Sequence, residues 1–335
     1  MKTVNVAFVF DDKFSDLFMV AAYSAAKNTQ FDLAIYIVDC GISEKNRKRI
    51  CEMLGGLTNV KSTQFGIPTR IDTFEKYPIQ GRFSSAIFYR LAIPEIFPTL
   101  DRVIYLDCDV VVVGDIADMW NEDLRCRALG VVDERNFHVP GKRKIAMGFT
   151  VLRCYFNSGV LLIDYKKFLA SKIFERVLNL IHTTEFSLMY PEQDAMNLCL
   201  SCGEYAILSP KYNFIPFGSV SKSTIKAIKK PVIVHNADWK PSSFNRKVVK
   251  FLNALLFFRD YRLRMVSEFW EYANAVCPKC WGRQPVLNTL IFFIALALIG
   301  TCRCICDFFR GQRTPLKTER NEAQSIIFTY GNNEL

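Results

Sequence analysis

The sequence lacks several features that would place it at once. It holds only three histidines in 335 residues. Neither G-x-G-x-x-G nor G-x-x-x-x-G-K-[ST] occurs, which argues against dinucleotide redox chemistry and P-loop phosphate hydrolysis. No helix-turn-helix, finger or RNA-binding signature is present, so no nucleic-acid partner is expected. A secretory signal is also missing: the apolar stretch Val4–Phe10 is too short, and Asp11 and Asp12 end it. The twelve cysteines are therefore expected to be reduced thiols in a cytosolic compartment. Their tightest spacings (Cys199/Cys202, Cys277/Cys280 and the cluster Cys302, Cys304, Cys306) match neither a zinc finger nor a ribbon. They read as ordinary buried or lipid-facing cysteines. Internal repeats and low-complexity tracts are absent too.

Acidic residues are scarce in one region. Residues 222–320 carry 18 Lys and Arg against 6 Asp and Glu, whereas residues 1–221 carry 25 of each. The net charge of +10 therefore belongs to the C-terminal third, where it would attract an anionic surface such as membrane lipid. Residues 245–276 read as one or two basic amphipathic helices. After them "PVLNTLIFFIALALIGTC" (Pro285–Cys302) contains no charge. A spanning helix needs about 20 apolar residues, so this stretch is marginal for crossing a bilayer and also fits a core helix. The expected organisation is a catalytic domain over residues 1–245 and a basic helical extension over 246–335. In that extension an apolar helix near 286–302 associates with membrane.

Half of the chain is apolar, enough for one large domain with a full core and a smaller appendage. "VNVAFVF", "FDLAIYIVD", "VKSTQFGI" and "RVIYLD" read as strands. Between them lie a helix after Phe14 that Ser15 would cap, a helix from Ser43 to about Leu54, and a helix over "SSAIFYRLAIPEIF". Continuous apolar strands alternating with helices predict an α/β fold with a mostly parallel central sheet flanked by helices. Further on come a strand led by Asn157-Ser158-Gly159, a helix running to about His182, a helix opened by Glu192-Gln193-Asp194, and a short strand ending at His235. Ligands of such sheets bind outside the C-terminal strand ends. Asp11, Asp12, Asp107 and Asp109 all fall on that rim.

The pair Asp107 and Asp109 interrupts the otherwise apolar run "VIYLDCDVVVVGDI". A buried carboxylate needs compensation. Two of them one residue apart can reach one divalent cation if the strand breaks its alternation there. Oxygen ligands suit Mg²⁺ or Mn²⁺, which also take up substrate phosphate oxygens. The pattern thus predicts a metal–diphosphate site, although an Asp pair at a solvated strand end has the same appearance.

In order along the chain, "FDDKF", "YRLAIPEIFP", "VIYLDCDVVVVGDI", "FNSGVLLID", "PEQDAMN" and "VIVHNADWKP" together closely resemble family 8 of the retaining glycosyltransferases, over about residues 4–245. That family includes bacterial lipopolysaccharide glucosyl- and galactosyltransferases and glycogenin. The resemblance implies the nucleotide-sugar-binding GT-A fold and a Mn²⁺ site, with Mg²⁺ as the alternative, made by Asp107, Asp109 and His235. It implies donor contacts from Asp11, Asp12, Phe14, Arg90, Asp133, Asn157, Gly159 and Glu192, with Glu192 replacing the family's usual Asp. Gln193 stands beneath the anomeric carbon with Asp194 beside it, and these two are the expected catalytic positions. Lys240 is implied to reach the diphosphate. It follows His235 by five places where the family usually has six, and the usual Gly and final Trp are missing.

The implied reaction moves glucose or galactose from a UDP-sugar to a glycan acceptor with retained configuration. The acceptor is lipopolysaccharide or another lipid-linked surface glycan, and the enzyme sits on the inner face of the cytoplasmic membrane. Gln193 occupies the nucleophile position, and an amide is a poor nucleophile, which favours front-face departure and attack. Two rival readings remain. A sugar nucleotidyltransferase would usually carry a Gly-rich basic loop, which "FVFDDKF" lacks. A non-catalytic nucleotide-sugar-binding protein on the same fold would have lost the D-x-D or Gln193.

Overall fold

A computed structural model of the chain describes residues 2–68, 85–134, 154–184, 188–215, 228, 230–237 and 261–276. All fall in one unit, Met1–Gln284. In chain order the elements are β1 (Thr3–Phe10), α1 (Ser15–Asn28), β2 (Asp32–Asp39), α2 (Glu44–Gly55), β3 (Val60–Gly66), α3 (Ile93–Ile96), β4 (Arg102–Leu106) and β5 (Val110–Val112). They continue with α4 (Ala117–Trp120), β6 (Leu129–Asp133), β7 (Phe156–Asp164), α5 (Tyr165–Ala170), α6 (Ile173–Thr183), α7 (Pro191–Cys199), β8 (Tyr205–Ile207), β9 (Ile233–His235) and α8 (Tyr261–Val276).

Seven strands form the main sheet in the order β3-β2-β1-β4-β7-β6-β8. The run β3-β2-β1-β4 is parallel, β7 is antiparallel to both of its neighbours, and β6 pairs with β8 in parallel. The sheet is thus mostly parallel, as the alternation predicted. Both faces of β1 are covered, which explains its apolar run. Phe8 and Phe10 meet Phe18 of α1 at ring-centroid distances of 4.9 and 4.5 Å. Ala7 faces the other way, into a core with Phe88, Tyr105, Leu161, Phe168 and Phe174. Strand order reverses direction between β1 and β4, and the crevice at such a switch point is where open α/β sheets bind ligands.

Local differences from the sequence reading have local causes. The helix expected over "SSAIFYRLAIPEIF" is a 3-10 segment, Ser85–Arg90, followed by the single turn α3. Pro94 cannot sit inside a helix because it lacks an N–H, and it lies in the first turn of α3 instead. The helix expected to reach His182 is two helices, broken at Lys172, whose φ of 49° is left-handed. Ser15 is the first residue of α1 rather than its cap, because a 3-10 turn, Asp12–Phe14, capped by Asp11, precedes it. Ser43 caps α2 as expected, its hydroxyl accepting from Asn46 N at 3.3 Å.

A second, two-stranded sheet pairs β5 with β9 antiparallel, placing His235 opposite Val110. Within the basic region, α8 packs on α1. Phe269, Trp270 and Ala273 are buried, and Tyr272 meets Tyr23 and Asn28. Among the described residues no helix is long and apolar enough to cross a membrane. Residues 246–260, the apolar stretch near 286–302 and the cysteines from Cys277 onward lie outside the described residues.

Candidate active site

The apolar run 103–113 is two strands of different sheets rather than one. β4 ends at Leu106, and Asp107 N donates to Gly159 O of β7 at 2.8 Å. The chain then turns through Cys108 and Asp109 and enters β5. This turn breaks strand alternation, so both carboxylates approach one point. The β5–β9 register brings His235 to the same place, with Nε2 3.2 Å from Asp109 Oδ1 and 3.8 Å from Asp107 Oδ2. The candidate ligand atoms of all three residues lie within 4.8 Å of one another.

Two carboxylates and one imidazole suit a divalent cation, and two features of the surroundings fit one as well. His235 Nδ1 is 3.0 Å from Asn213 Oδ1, which leaves Nε2 for a metal. Gly159 provides the clearance: a Cβ at that position would lie 2.3 Å from His235 Cε1. Burial lowers the proton affinity of His235, but the carboxylates of Asp109 and Asp107 reverse this and hold its pKa above the ordinary histidine value. In that nest of negative charge a proton and a divalent cation compete for the same position.

Arg90 closes the other side of Asp107. It is 7% exposed and holds Asp107 Oδ1 at 3.2 Å, Glu192 Oε1 at 3.3 Å and Ser158 O at 2.9 Å. Burial opposes its charge, yet Asp107 and Glu192 keep it ionised. The Tyr105 hydroxyl also donates to Asp107 Oδ1, at 2.5 Å, and the ring packs under the Arg90 guanidinium. Asp107 thus commits one oxygen to Arg90 and Tyr105 and turns the other toward His235.

Gln193, in the first turn of α7, is buried against β7. Its Oε1 accepts from Ser158 N at 3.0 Å and Asn157 Nδ2 at 3.1 Å, and its Nε2 donates to the Tyr155 hydroxyl at 2.9 Å. Tyr155 in turn donates to Asp194 Oδ1 at 2.6 Å. Asp194 is fully buried, and its Oδ2 accepts from Met189 N and Tyr190 N. Asp194 therefore anchors the start of α7 and steadies Gln193 through Tyr155. Ser158 Oγ donates to Glu192 Oε1 at 2.6 Å.

Asp107, Asp109, His235, Arg90, Asn157, Gly159, Glu192, Gln193 and Asp194 thus form one connected cluster. Asp11 and Phe14 lie at the C-terminal end of β1, next to β4, where Asp11 accepts from Lys13 N at 3.1 Å. Asp12 turns toward α2, its Oδ1 accepting from Ser43 N at 2.7 Å and Asn46 Nδ2 at 2.8 Å. Asp133 ends β6, opposite Phe156. Lys240 lies outside the described residues. The sequence reading missed Asn213, Tyr155 and Tyr105. Each acts through a neighbouring site residue, and none stands in a spacing that signals chemistry.

The fold is the GT-A architecture of glycosyltransferases. The chain belongs to Glycosyl transferase family 8, whose sequence profile matches residues 5–241. It is 31% identical over 223 residues to general stress protein A of Bacillus subtilis, covering 61% of this chain and 74% of the relative. It is 30% identical over 217 residues to lipopolysaccharide 1,2-glucosyltransferase of Escherichia coli, covering 63% and 62%. The crystal structure of galactosyltransferase LgtC with donor and acceptor sugar analogs superposes with a TM-score of 0.65 at 24% identity, over 82% of this chain and 96% of that one. At that identity the likeness is one of fold.

Proposed function

We propose that the protein is a retaining hexosyltransferase that moves glucose or galactose from a UDP-sugar to a glycan acceptor, with Mn²⁺ held by Asp107, Asp109 and His235. The observation that supports this best is the convergence of these three side chains above Gly159, in one hydrogen-bonded cluster with Arg90, Asn157 and Gln193. A bound divalent cation would neutralise the diphosphate leaving group.

The chain's own residues have complementary tasks in this reading. Arg90, kept charged and immobile by two carboxylates, adds fixed positive potential where negative charge develops. As the bond from the anomeric carbon to UDP breaks, its electron pair leaves on the β-phosphate oxygen. The acceptor hydroxyl then attacks from the same face, and its proton passes to that departing oxygen. The two carboxylates beside Gln193 are both committed. Glu192 is paired with Arg90 and Ser158, and Asp194 is enclosed. The Gln193 amide keeps a fixed orientation toward β7, consistent with a positioning and electrostatic role.

The acceptor class we favour is lipopolysaccharide or another lipid-linked surface glycan, reached from the cytosolic face of a membrane. The basic surplus of residues 222–320 and the function named for the Escherichia coli relative support this choice. The test is a UDP-release screen of UDP-glucose, UDP-galactose and UDP-N-acetylglucosamine with and without Mn²⁺. Mn²⁺-dependent release from one of the two hexose donors is expected. Release that ignores Mn²⁺, or release of pyrophosphate instead of UDP, overturns the reading.

A further inference from the structure

Asn213 belongs to none of the motifs above, yet it is 4% exposed and stands between two halves of the site. It follows a 3-10 turn, Pro210–Tyr212, and the next residue, Phe214, bridges to Val234 of β9. Its Oδ1 faces His235 Nδ1 at 3.0 Å, and its Nδ2 donates to Asn157 Oδ1 at 3.0 Å.

Backbone donors set the direction of the whole chain of contacts. Asp194 is an acceptor fixed by Met189 N and Tyr190 N, so the Tyr155 proton is spent on it. The Tyr155 oxygen therefore accepts from Gln193 Nε2. Ser158 N independently requires Gln193 Oε1 to face β7, where Asn157 Nδ2 also donates to it. Gly159 N donates to Asn157 Oδ1 at 2.9 Å, so that oxygen is an acceptor and Asn213 must present its Nδ2 to it. Asn213 Oδ1 is then the only atom left for His235. Nδ1 therefore carries a proton toward Asn213, and Nε2 is the ring atom that faces Asp107 and Asp109.

We propose that Asn213 is a positioning residue that sets the His235 tautomer and, as a second donor to Asn157 Oδ1, braces the amide that contacts Gln193, so that the metal seat and the sugar-side amide are held by one directed hydrogen-bond chain. This rests on the metal-dependent reading of the site and adds a coupling within it. Two substitutions separate the two links. Asn213→Ala removes both. Asn213→Asp still accepts from His235 Nδ1 but has no proton for Asn157 Oδ1, so it spares the metal side and disturbs Asn157 and Gln193.

The experiment titrates Mn²⁺ alone into the full chain by calorimetry and measures kcat and KM for UDP-sugar hydrolysis at saturating Mn²⁺. Thermal melts report folding. Asn213→Ala is expected to weaken Mn²⁺ binding by about 10–100-fold, the usual effect of losing a hydrogen bond behind a ligating histidine. Asn213→Asp is expected to bind Mn²⁺ like wild type while its kcat falls about tenfold or more. Wild-type kcat in Asn213→Asp overturns the coupling, and this variant carries the test alone if Asn213→Ala does not fold. Wild-type Mn²⁺ affinity in a folded Asn213→Ala also overturns it. A wild-type chain that takes up no Mn²⁺ would instead overturn the metal reading itself and the coupling with it.

Discussion

Gly159 lies flush against His235: a Cβ there would sit 2.3 Å from His235 Cε1 and 2.6 Å from Asp107 Oδ2. Its backbone is already fixed, because its N–H donates to Asn157 and its carbonyl accepts from Asp107 N. The strand cannot move away without breaking both bonds, so an added methyl must displace the candidate ligands. Gly159→Ala is expected to fold, at an overpacking cost of about 1–3 kcal/mol. Its Mn²⁺ affinity should fall at least about tenfold. Calorimetry checks this, with circular dichroism as the folding control. Unchanged affinity would show that the three side chains do not share a metal.

The elements legible in the sequence were those whose apolar pattern is set by the main sheet. β1, β2, β3 and β4 announce themselves because both of their faces are buried or their ends are punctuated by Asp and Gly. The 103–116 run hides one feature, since Val110–Val112 continues the apolar composition of β4 but pairs with β9. Apolar composition cannot report a change of sheet. β6 and β8 were unread because five and three residues are too short for a periodic signal. In the site, Asp107 and Asp109 were legible because carboxylates are unusual in an apolar run, whereas His235 and Gln193 were marked only by the family resemblance. Asn213 and Tyr155 were not, since their importance lies in which atoms they touch across more than twenty residues of chain.

Arg90 is buried between the carboxylates of Asp107 and Glu192. Removing a buried charge that compensates others costs about 3–5 kcal/mol, because the partners are left unpaired. At about 2–4 °C per kcal/mol for a domain of this size, Arg90→Met should melt on the order of 10 °C below wild type. Arg90→Met combined with Glu192→Gln should recover part of that loss. Differential scanning calorimetry on the single and double variants decides it. A double variant no more stable than Arg90→Met would mean that Glu192 is not the partner that matters.

Asp12 ties the end of β1 to the start of α2, and the hydrogen bonds from Ser43, with one from Asn46, hold its pKa below the ordinary value. A depressed carboxyl pKa adds stability above the unfolded-state value of about 3.9, and this is lost as pH falls through the lower native value. Asp12→Asn should therefore melt below wild type near neutral pH, and the gap should close as the pH drops below about 4. Melts across that range test the sign. A gap that persists in acid would assign the effect to shape rather than to the charge.

The Asn28 side-chain amide joins three elements. Its Nδ2, with two hydrogens to share, lies within hydrogen-bond distance of Ser24 O within α1, of Val112 O of β5 at 3.0 Å and of the Tyr272 hydroxyl of α8 at 2.8 Å. Ser24 Oγ accepts from Val112 N at 3.0 Å, so α1 holds both backbone groups of that residue. β5 follows directly on Asp109 and pairs with the strand that ends in His235. Tyr272→Phe removes only the outer contact and should cost about 0.5–1.5 kcal/mol, with faster amide exchange confined to α8. Asn28→Ala removes the Val112 and Tyr272 contacts at once and should speed exchange in α8 and in the Val110–Val112 amides together. In the double variant the Tyr272 substitution should add almost nothing, because the partner of its hydroxyl is already gone. Strict additivity, or Val110–Val112 protection unchanged in Asn28→Ala, would show that α8 is fastened to α1 without any mechanical connection to the D-x-D turn.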